Sequence, residues 1–434
     1  MAFRPRILRH RGITIVQKLD PSLERIRPSK LGLVLAGGAV SGGGYKAGGL
    51  KALDEMLARR RVPGSGSKPF TLNDFDCFVG LSAGSVLSSV LSAGISTDEL
   101  FRILEGTSET YEPFRPLDFM RPNLSEFAHR LRLFLSRENS VAANYFSGAT
   151  DPSTGNRISL GAAAFRMLEA TGRIVPTGIF DPTALRDYVR RNMERAGIPD
   201  TFQGAFEKTG KELYLTATDL DRGELVVFGH DEPYREVPVS WAIAASCSLP
   251  IWYKPTVIPN PRYGLPAEPK QLTLADGALV RTANVRVAVE KGCELIICFN
   301  PFRRIVFDRS GQHLYDHGIP SLLSQGMRTL IGARLDLAKE LMFHDPSVQA
   351  DIVFVEPAED DYTFFKMSAL NYWNKHRAAT HGYESVRHSI ESAYTLLVDL
   401  MRGHGLELRE PRRDMFTPDA DDERVQFNIR ESRG

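Results

Sequence analysis

A serine held between two glycines at a sharp turn is a candidate nucleophile, and the sequence carries one at Gly80-Leu81-Ser82-Ala83-Gly84. The apolar run Phe75-Asp76-Cys77-Phe78-Val79 enters it as a strand, and Ser85-Val86-Leu87-Ser88-Ser89-Val90-Leu91 leaves it with helix-forming composition. A side chain at Gly80 or Gly84 would collide with the adjoining strand and helix, so the spacing suits a strand, tight turn and helix. Such a turn pushes Ser82 out at a helix N-terminus, where unpaired N–H groups and the helix dipole can hold an oxyanion. The chemistry this suits is acyl transfer through a covalent acyl intermediate, which needs a base to take the serine proton. Glycine and serine are common enough that the five residues alone also describe an ordinary turn; both flanks together make the case.

A second strand also empties into glycines. Leu31-Gly32-Leu33-Val34-Leu35 is followed by Ala36-Gly37-Gly38-Ala39-Val40-Ser41-Gly42-Gly43-Gly44, ahead of a helix from Leu50 to Leu57. Backbone N–H groups in such a loop approach a ligand closely, either as a phosphate cradle or as an oxyanion hole. Gly42-Gly43-Gly44-Tyr45-Lys46-Ala47 fits G-x-G-x-x-A, but a dinucleotide site needs that pattern directly after the strand and an acid at the end of the next one. Here the pattern starts several residues past Leu35, the next strand ends in Ser82, and no G-x-x-x-x-G-K-[ST] is present. Late in the chain, Leu272-Thr273-Leu274-Ala275 runs into Asp276-Gly277-Ala278, an acid at a strand end that by itself is a common turn.

Taken in order, the glycine-rich loop, the G-x-S-x-G and the D-G-A resemble the patatin family. Ala217-Thr218-Asp219-Leu220-Asp221-Arg222-Gly223-Glu224 is similar to its A-T-D-L-x-x-G-E segment, and Ala244-Ala245-Ser246-Cys247-Ser248-Leu249-Pro250 to its A-S-x-x-x-P helix end. The similarity covers roughly residues 31 to 300, and separated motifs in order are far more specific than any one. The resemblance implies an α/β, patatin-like three-layer fold with a central mainly parallel sheet, a helical insertion after the nucleophile elbow and a helical C-terminal part. It implies a lipid acyl hydrolase of the phospholipase A type acting on phospholipids or other acyl lipids, with Ser82 as nucleophile and Asp276 as base. Gly37, Gly38 and Ala39 are then the oxyanion hole, Gly80 and Gly84 the elbow glycines, and Gly277 and Ala278 the turn after the acid; no metal and no cofactor is implied. Two departures stand out. Ser41 occupies the place of the family loop's basic residue, which a second register, Gly42-Gly43-Gly44-Tyr45-Lys46, would restore at the cost of starting further from the strand. The first register is expected, because the oxyanion hole has to lie near the strand end that carries Ser82. Ala278 replaces the family's last glycine.

Two other classes compete. An α/β-hydrolase triad would need a histidine after Asp276, with His313, His317, His344, His376, His381 and His388 as candidates, and His313 and His317 are also four apart as a metal pair would be. A patatin-like fold that only binds lipid is the third; an intact Ser82 and Asp276 argue against it.

The elements that would position these residues are legible as a rhythm of short apolar runs and longer helical stretches. Leu31–Ala36, Phe75–Val79, Leu213–Thr216, Leu225–Phe228, Leu272–Ala275 and Leu295–Phe299 are expected strands, with Asp351–Glu356 a further one. Residues 31–300 make the expected catalytic domain, with a helical insertion at about 101–210 that includes Leu124–Leu135 and Pro182–Arg195 and covers one edge of the sheet. Residues 301–401 read as mainly helical; Leu323, Met327, Leu330, Leu337 and Leu341 fall at helical spacing and are expected to pack on the core. Residues 1–30 read as a basic extension and 402–434 as a charged tail. In the first, Arg4, Arg6, Arg9 and Arg11 are interleaved with Phe3, Ile7, Leu8, Ile13 and Ile15, a pattern that either packs on the core or lies on anionic lipid.

The 434 residues are 42% hydrophobic and 25% charged with a net charge of +1, a globular composition with no global field for nucleic acid. Cys77, Cys247, Cys293 and Cys298 are scattered, which suggests a reducing compartment, and no apolar run is long enough to span a bilayer. A cytoplasmic protein, with peripheral membrane contact at most, is expected.

Overall fold

The computed structural model describes residues 4–20, 28–60, 69–130, 132, 176–231, 233–303, 313 and 318–411. The uninterrupted apolar runs become the interior of a ten-stranded sheet. Asp351–Val355, Leu295–Phe299, Leu31–Leu35, Cys77–Leu81 and Glu212–Asp219 lie side by side and all parallel. Strands that read as continuous hydrophobic sequence belong in such a sheet because both faces are covered. Antiparallel strands finish it at either side: Ile13–Gln17 and Arg6–His10 beyond Asp351–Val355, and Glu224–Phe228, Gln271–Asp276 and Thr256–Pro259 beyond Glu212–Asp219.

Alternation along each strand divides the core in two. Leu33, Leu35 and Phe78 point toward α1 (Ala39–Met56) and α2 (Ala83–Ser92), meeting Leu50, Leu53, Leu87 and Leu91. Val34, Val79, Ile296 and Cys298 point the other way, to Val287 of the Val285–Glu290 helix and Leu335 of the Gly318–His344 helix. The result is the expected three-layer α/β fold, helices on both faces of a sheet whose centre is parallel.

Four details differ from expectation or add to it. First, α1 begins at Ala39, so the glycine-rich loop is only Ala36–Gly38, and Gly42–Ala47 lies inside the helix. Its glycines are a packing seam: a Cβ on Gly48 would sit 1.9 Å from the Ala379 carbonyl oxygen, which is what lets the Lys375–Ser392 helix lie against α1. Second, the predicted apolar stripe is not the buried face of the Gly318–His344 helix. Met327, Leu330, Leu337 and Leu341 are exposed, while Ile331, Leu335 and Met342 are buried together with Arg328 and Lys339, the latter ion-paired to Glu356 at 2.8 Å. A helix with apolar residues on two sides buries the one that meets the sheet; Leu323 lies outside the described side chains. Third, Ile13, Ile15 and Val16 are core residues of the edge hairpin, and residues 21–27 of the basic stretch lie outside the described residues. Fourth, Leu406–Leu408 pairs with Leu57–Arg60 beyond the expected end of the helical part. Residues 133–175 of the expected insertion and 412–434 of the tail lie outside the described residues.

Candidate active site

The register of the Glu212–Asp219 strand explains how two residues 194 positions apart meet. Its first half pairs with Cys77–Leu81, ending at Leu81 opposite Thr216. Its second half pairs with Gln271–Asp276, ending at Asp276 opposite Ala217. Glu224–Phe228 pairs with residues 215–219 and so overlaps both partners. A strand has two edges, so the nucleophile strand and the acid strand share one edge and run toward each other along it. Their ends meet at adjacent residues, and Ser82 follows Leu81 by one.

Ser82 is half-buried at the N-cap of α2 with φ 52° and ψ −129°, a conformation sparsely populated outside glycine and typical of strain held at a functional turn. The strain is imposed by packing. A Cβ on Gly84 would lie 2.0 Å from the Leu35 carbonyl oxygen, so only glycine lets α2 start this close to the neighbouring strand end. Below the turn, the Ser85 N–H and hydroxyl both donate to the Ser82 carbonyl, at 2.7 and 2.6 Å.

Asp276 is 2% exposed. Burial pushes its carboxyl up from 3.8 to about 6, opposed by the Ala278 N–H, the Ser82 side chain and the Lys46 ammonium. The Ala278 N–H donates to Oδ1 at 2.9 Å, and the Thr218 hydroxyl donates to the Asp276 carbonyl at 3.0 Å. Turn, acid and serine thus form one cluster, and the Ser82 side chain is among the groups that hold the Asp276 carboxyl down.

The A-S-x-x-x-P stretch ties the two together. The Ser82 N–H donates to Ser246 Oγ at 2.8 Å, and the Asp276 N–H donates to the Ser248 carbonyl at 2.9 Å. Neither bond is visible as chemistry in the sequence; the only signal was the motif. Losing the Ser246 hydroxyl leaves a donor unpaired at the strained turn, a cost of about 1–3 kcal/mol. Ser246→Ala is expected to lower kcat for a short nitrophenyl ester about tenfold with KM little changed, read by steady-state kinetics.

Gly37 and Gly38 complete the cluster. A Cβ on Gly37 would lie 3.2 Å from Ser82 Cβ and 3.0 Å from the Phe302 ring, so this peptide is directly beside the serine. Gly38 has φ 144° and Ala39 φ 51°. Among the described residues no protein acceptor takes the N–H of Gly37, Gly38 or Ala39, the three residues expected at the oxyanion hole, whereas Ala36 donates to Phe299, and Val40 and Ser41 to Ala369. Pro301 and Phe302 wall this side, a contribution the sequence did not announce. Lys46, fully buried, reaches back from α1 and donates to the carbonyls of Ala36 and Gly37, the latter at 2.8 Å. The two registers weighed in the sequence therefore converge: the loop is Gly37–Gly38, and the lysine of the second register comes to it through the helix. Burial lowers Lys46 to about 7, with Cys247, Cys298 and Asp276 pulling the other way.

Three of the candidate histidines are engaged elsewhere. His381 bonds Asp361 at 2.6 Å, His376 faces Glu105 at 3.9 Å and His344 faces Glu340 at 4.0 Å. His404, not among the candidates, bridges Ser29 and Asp351, both at 2.9 Å, as a buried clamp. His317 lies outside the described residues, and among those described no three His, Cys, Asp or Glu side chains are grouped to hold a metal. All four cysteines are free and buried, and no helix among the described residues is long and apolar enough to cross a membrane.

A family model for patatin-like phospholipases matches residues 33–289. No curated protein sequence matches significantly. Among solved structures, VipD from Legionella pneumophila is similar over 94% of this chain and 71% of its own, at 12% identity and a TM-score of 0.34. ExoU from the type III secretion system of Pseudomonas aeruginosa aligns over 92% and 70%, at 19% identity and 0.28. Human GIVD cytosolic phospholipase A2 aligns over 89% and 61%, at 12% identity and 0.40. The matched 33–289 region spans the glycine loop, the elbow and the acid.

Proposed function

Because this chain belongs to the patatin-like phospholipase family, we propose that it is a lipid acyl hydrolase that cleaves carboxylic esters of phospholipids or related acyl lipids through a Ser82–Asp276 dyad. Asp276 takes the proton as Ser82 Oγ adds to the ester carbonyl; the N–H groups of Gly37 and Gly38 hold the oxyanion; the alcohol leaves with a proton; and water, activated by the same carboxylate, releases the fatty acid. The observation that carries this reading is a strained serine at a helix start, one residue past a strand end that meets the strand end of a buried carboxylate. A carboxylate pushed up to about 6 is a better base than one in water while still ionised at neutral pH.

A fluorophosphonate probe tests the reading: it should label the protein at Ser82 and fail to label Ser82→Ala. Incubation with phospholipids, lysophospholipids, acylglycerols and nitrophenyl esters, with products identified by mass, then defines the substrate. A labelled protein that hydrolyses none of them would favour a lipid-binding role.

We also propose that the enzyme meets its substrate at a lipid surface. Gly178–Phe180 pairs with Ile251–Tyr253, which places Ile179 opposite Trp252 on one face. Both are exposed, as is Ile251, a β-branched residue at φ 76° that starts four residues past the Cys247 end of the site helix. Exposed apolar side chains gathered at one place mark a surface for apolar contact. The double change Ile251→Ser, Trp252→Ala is expected to reduce the fraction bound in vesicle sedimentation severalfold and leave hydrolysis of a soluble short ester unchanged. Undiminished sedimentation of the folded variant would remove this face from the lipid contact.

A further inference from the structure

We infer that Lys46 is a positioning residue that sets the two oxyanion donors from beneath, replacing the basic residue that is missing from the loop itself. The inference rests on the hydrolase reading above and concerns how its loop is held.

Lys46 lies about two turns inside α1 and is fully buried. Its ammonium has no carboxylate at hydrogen-bond distance among the described residues; it donates instead to the carbonyls of Ala36 and Gly37. These belong to two successive peptides, and in a trans peptide the C=O and the N–H point in opposite directions. Turning the Ala36 carbonyl toward Lys46 turns the Gly37 N–H away from it, and turning the Gly37 carbonyl does the same for the Gly38 N–H. Neither of these two N–H groups has a protein acceptor among the described residues, nor does that of the next residue, Ala39, and Gly37 is the peptide beside Ser82. One buried cation thereby aligns both donors and leaves them free for a ligand.

The arrangement is costly as structure alone. A buried ammonium loses its hydration, and two carbonyls return only part of it; burial pushes Lys46 down to about 7. A methionine would fill the same space without that cost. The wall at Pro301 restricts the loop from outside but is a carbon contact that makes no hydrogen bond to its peptides. Position 42, where Gly42 packs against Pro301, has no side chain to do so. Ser41, buried, is held through its N–H to Ala369.

Steady-state kinetics with a soluble nitrophenyl ester, thermal melting and the rate of fluorophosphonate labelling separate the roles. Lys46→Met is expected to lower kcat about 30- to 100-fold with KM nearly unchanged, the scale of a misoriented catalytic group. Labelling should slow in proportion, and the melting temperature should hold or rise. Lys46→Arg, which keeps the charge and several donors, should recover part of kcat. A folded Lys46→Met protein with kcat within about threefold of wild type overturns the inference, as does a variant that loses stability but not turnover. If Lys46→Met does not fold, Lys46→Gln decides: an amide can donate to the loop but carries no charge, so wild-type kcat overturns the inference and an intermediate value supports it. Turnover surviving in Ser82→Ala would instead defeat the hydrolase reading, independently of Lys46.

Discussion

Ser82→Ala and Asp276→Asn are each expected to lower kcat/KM for a short ester by about a thousandfold or more, and the double variant to be no worse than either single one. The reason is the shared step: without the carboxylate the hydroxyl keeps its proton, and without the hydroxyl the carboxylate has nothing to activate. The two strands that deliver these side chains end on adjacent residues, Thr216 and Ala217, so neither substitution disturbs the sheet that carries them. Steady-state kinetics and circular dichroism of the three variants check this; most of the activity remaining in a folded Asp276→Asn would disqualify Asp276 as the base.

The same carboxylate gives the experiment a second readout. As the proposed base, Asp276 would have to be ionised, so kcat/KM should rise with pH through about 6 and level off above it. The effect on stability runs the other way. Unfolded, the carboxyl ionises near 3.8; folded, near 6. Between those values folding takes up a proton, so stability falls as pH rises, and above about 6 the whole cost is present, on the order of 3 kcal/mol at most for a shift of this size. Asp276→Asn should therefore be inactive and melt no lower than wild type at neutral pH. A base made effective by burial is kept at the expense of stability, a common balance at active sites.

How far the sequence reached can be judged at particular residues. Seven expected strands appear within two or three residues of their expected limits; five of them are the central parallel strands, and a buried parallel strand is a short unbroken apolar run bounded by turns. Ser82, Gly80, Gly84, Asp276 and the Gly37–Gly38 loop fall at one site because strand ends carry them, and strand ends are legible. What the sequence left open was set by long-range packing. The edge hairpin at Arg6–Gln17 read as a basic extension because its arginines alternate with the isoleucines that the sheet buries. The glycines at 42 to 48 suggested a loop because glycine disfavours a helix, yet they lie within α1; the approach of the Lys375–Ser392 helix, over three hundred residues away, outweighs that propensity. Which side of the Gly318–His344 helix is buried depends likewise on what the sheet presents to it. Ser246 and Lys46 reach the site through hydrogen bonds to backbone, one for Ser246 and two for Lys46, a role no composition or spacing encodes.

The largest effect outside the dyad is expected at Gly38. Its φ of 144° belongs to a region that residues with a side chain rarely adopt, and a Cβ there would lie 2.7 Å from Pro301 Cγ and 2.9 Å from Gly42 Cα. Neither neighbour is a flexible side-chain tip: one is a proline ring and the other is helix backbone, so the loop has to move instead. Any such movement displaces the Gly38 N–H from the proposed oxyanion position, and loss of one such donor costs about a hundredfold or more in turnover. Gly38→Ala should show that loss in kcat, and Gly38→Val at least as much. Gly43 is the control, because it is in the same glycine run but inside α1, and a Cβ there meets only the Ala83 methyl at 3.4 Å, an ordinary contact. Gly43→Ala should leave kcat within a fewfold and raise stability slightly, since alanine is about 1 kcal/mol better than glycine in a helix interior. Measuring kcat for both variants with one soluble ester tests the loop assignment: if Gly43→Ala were the more damaging, the oxyanion donors would have to lie inside α1 and not in Gly37–Gly38.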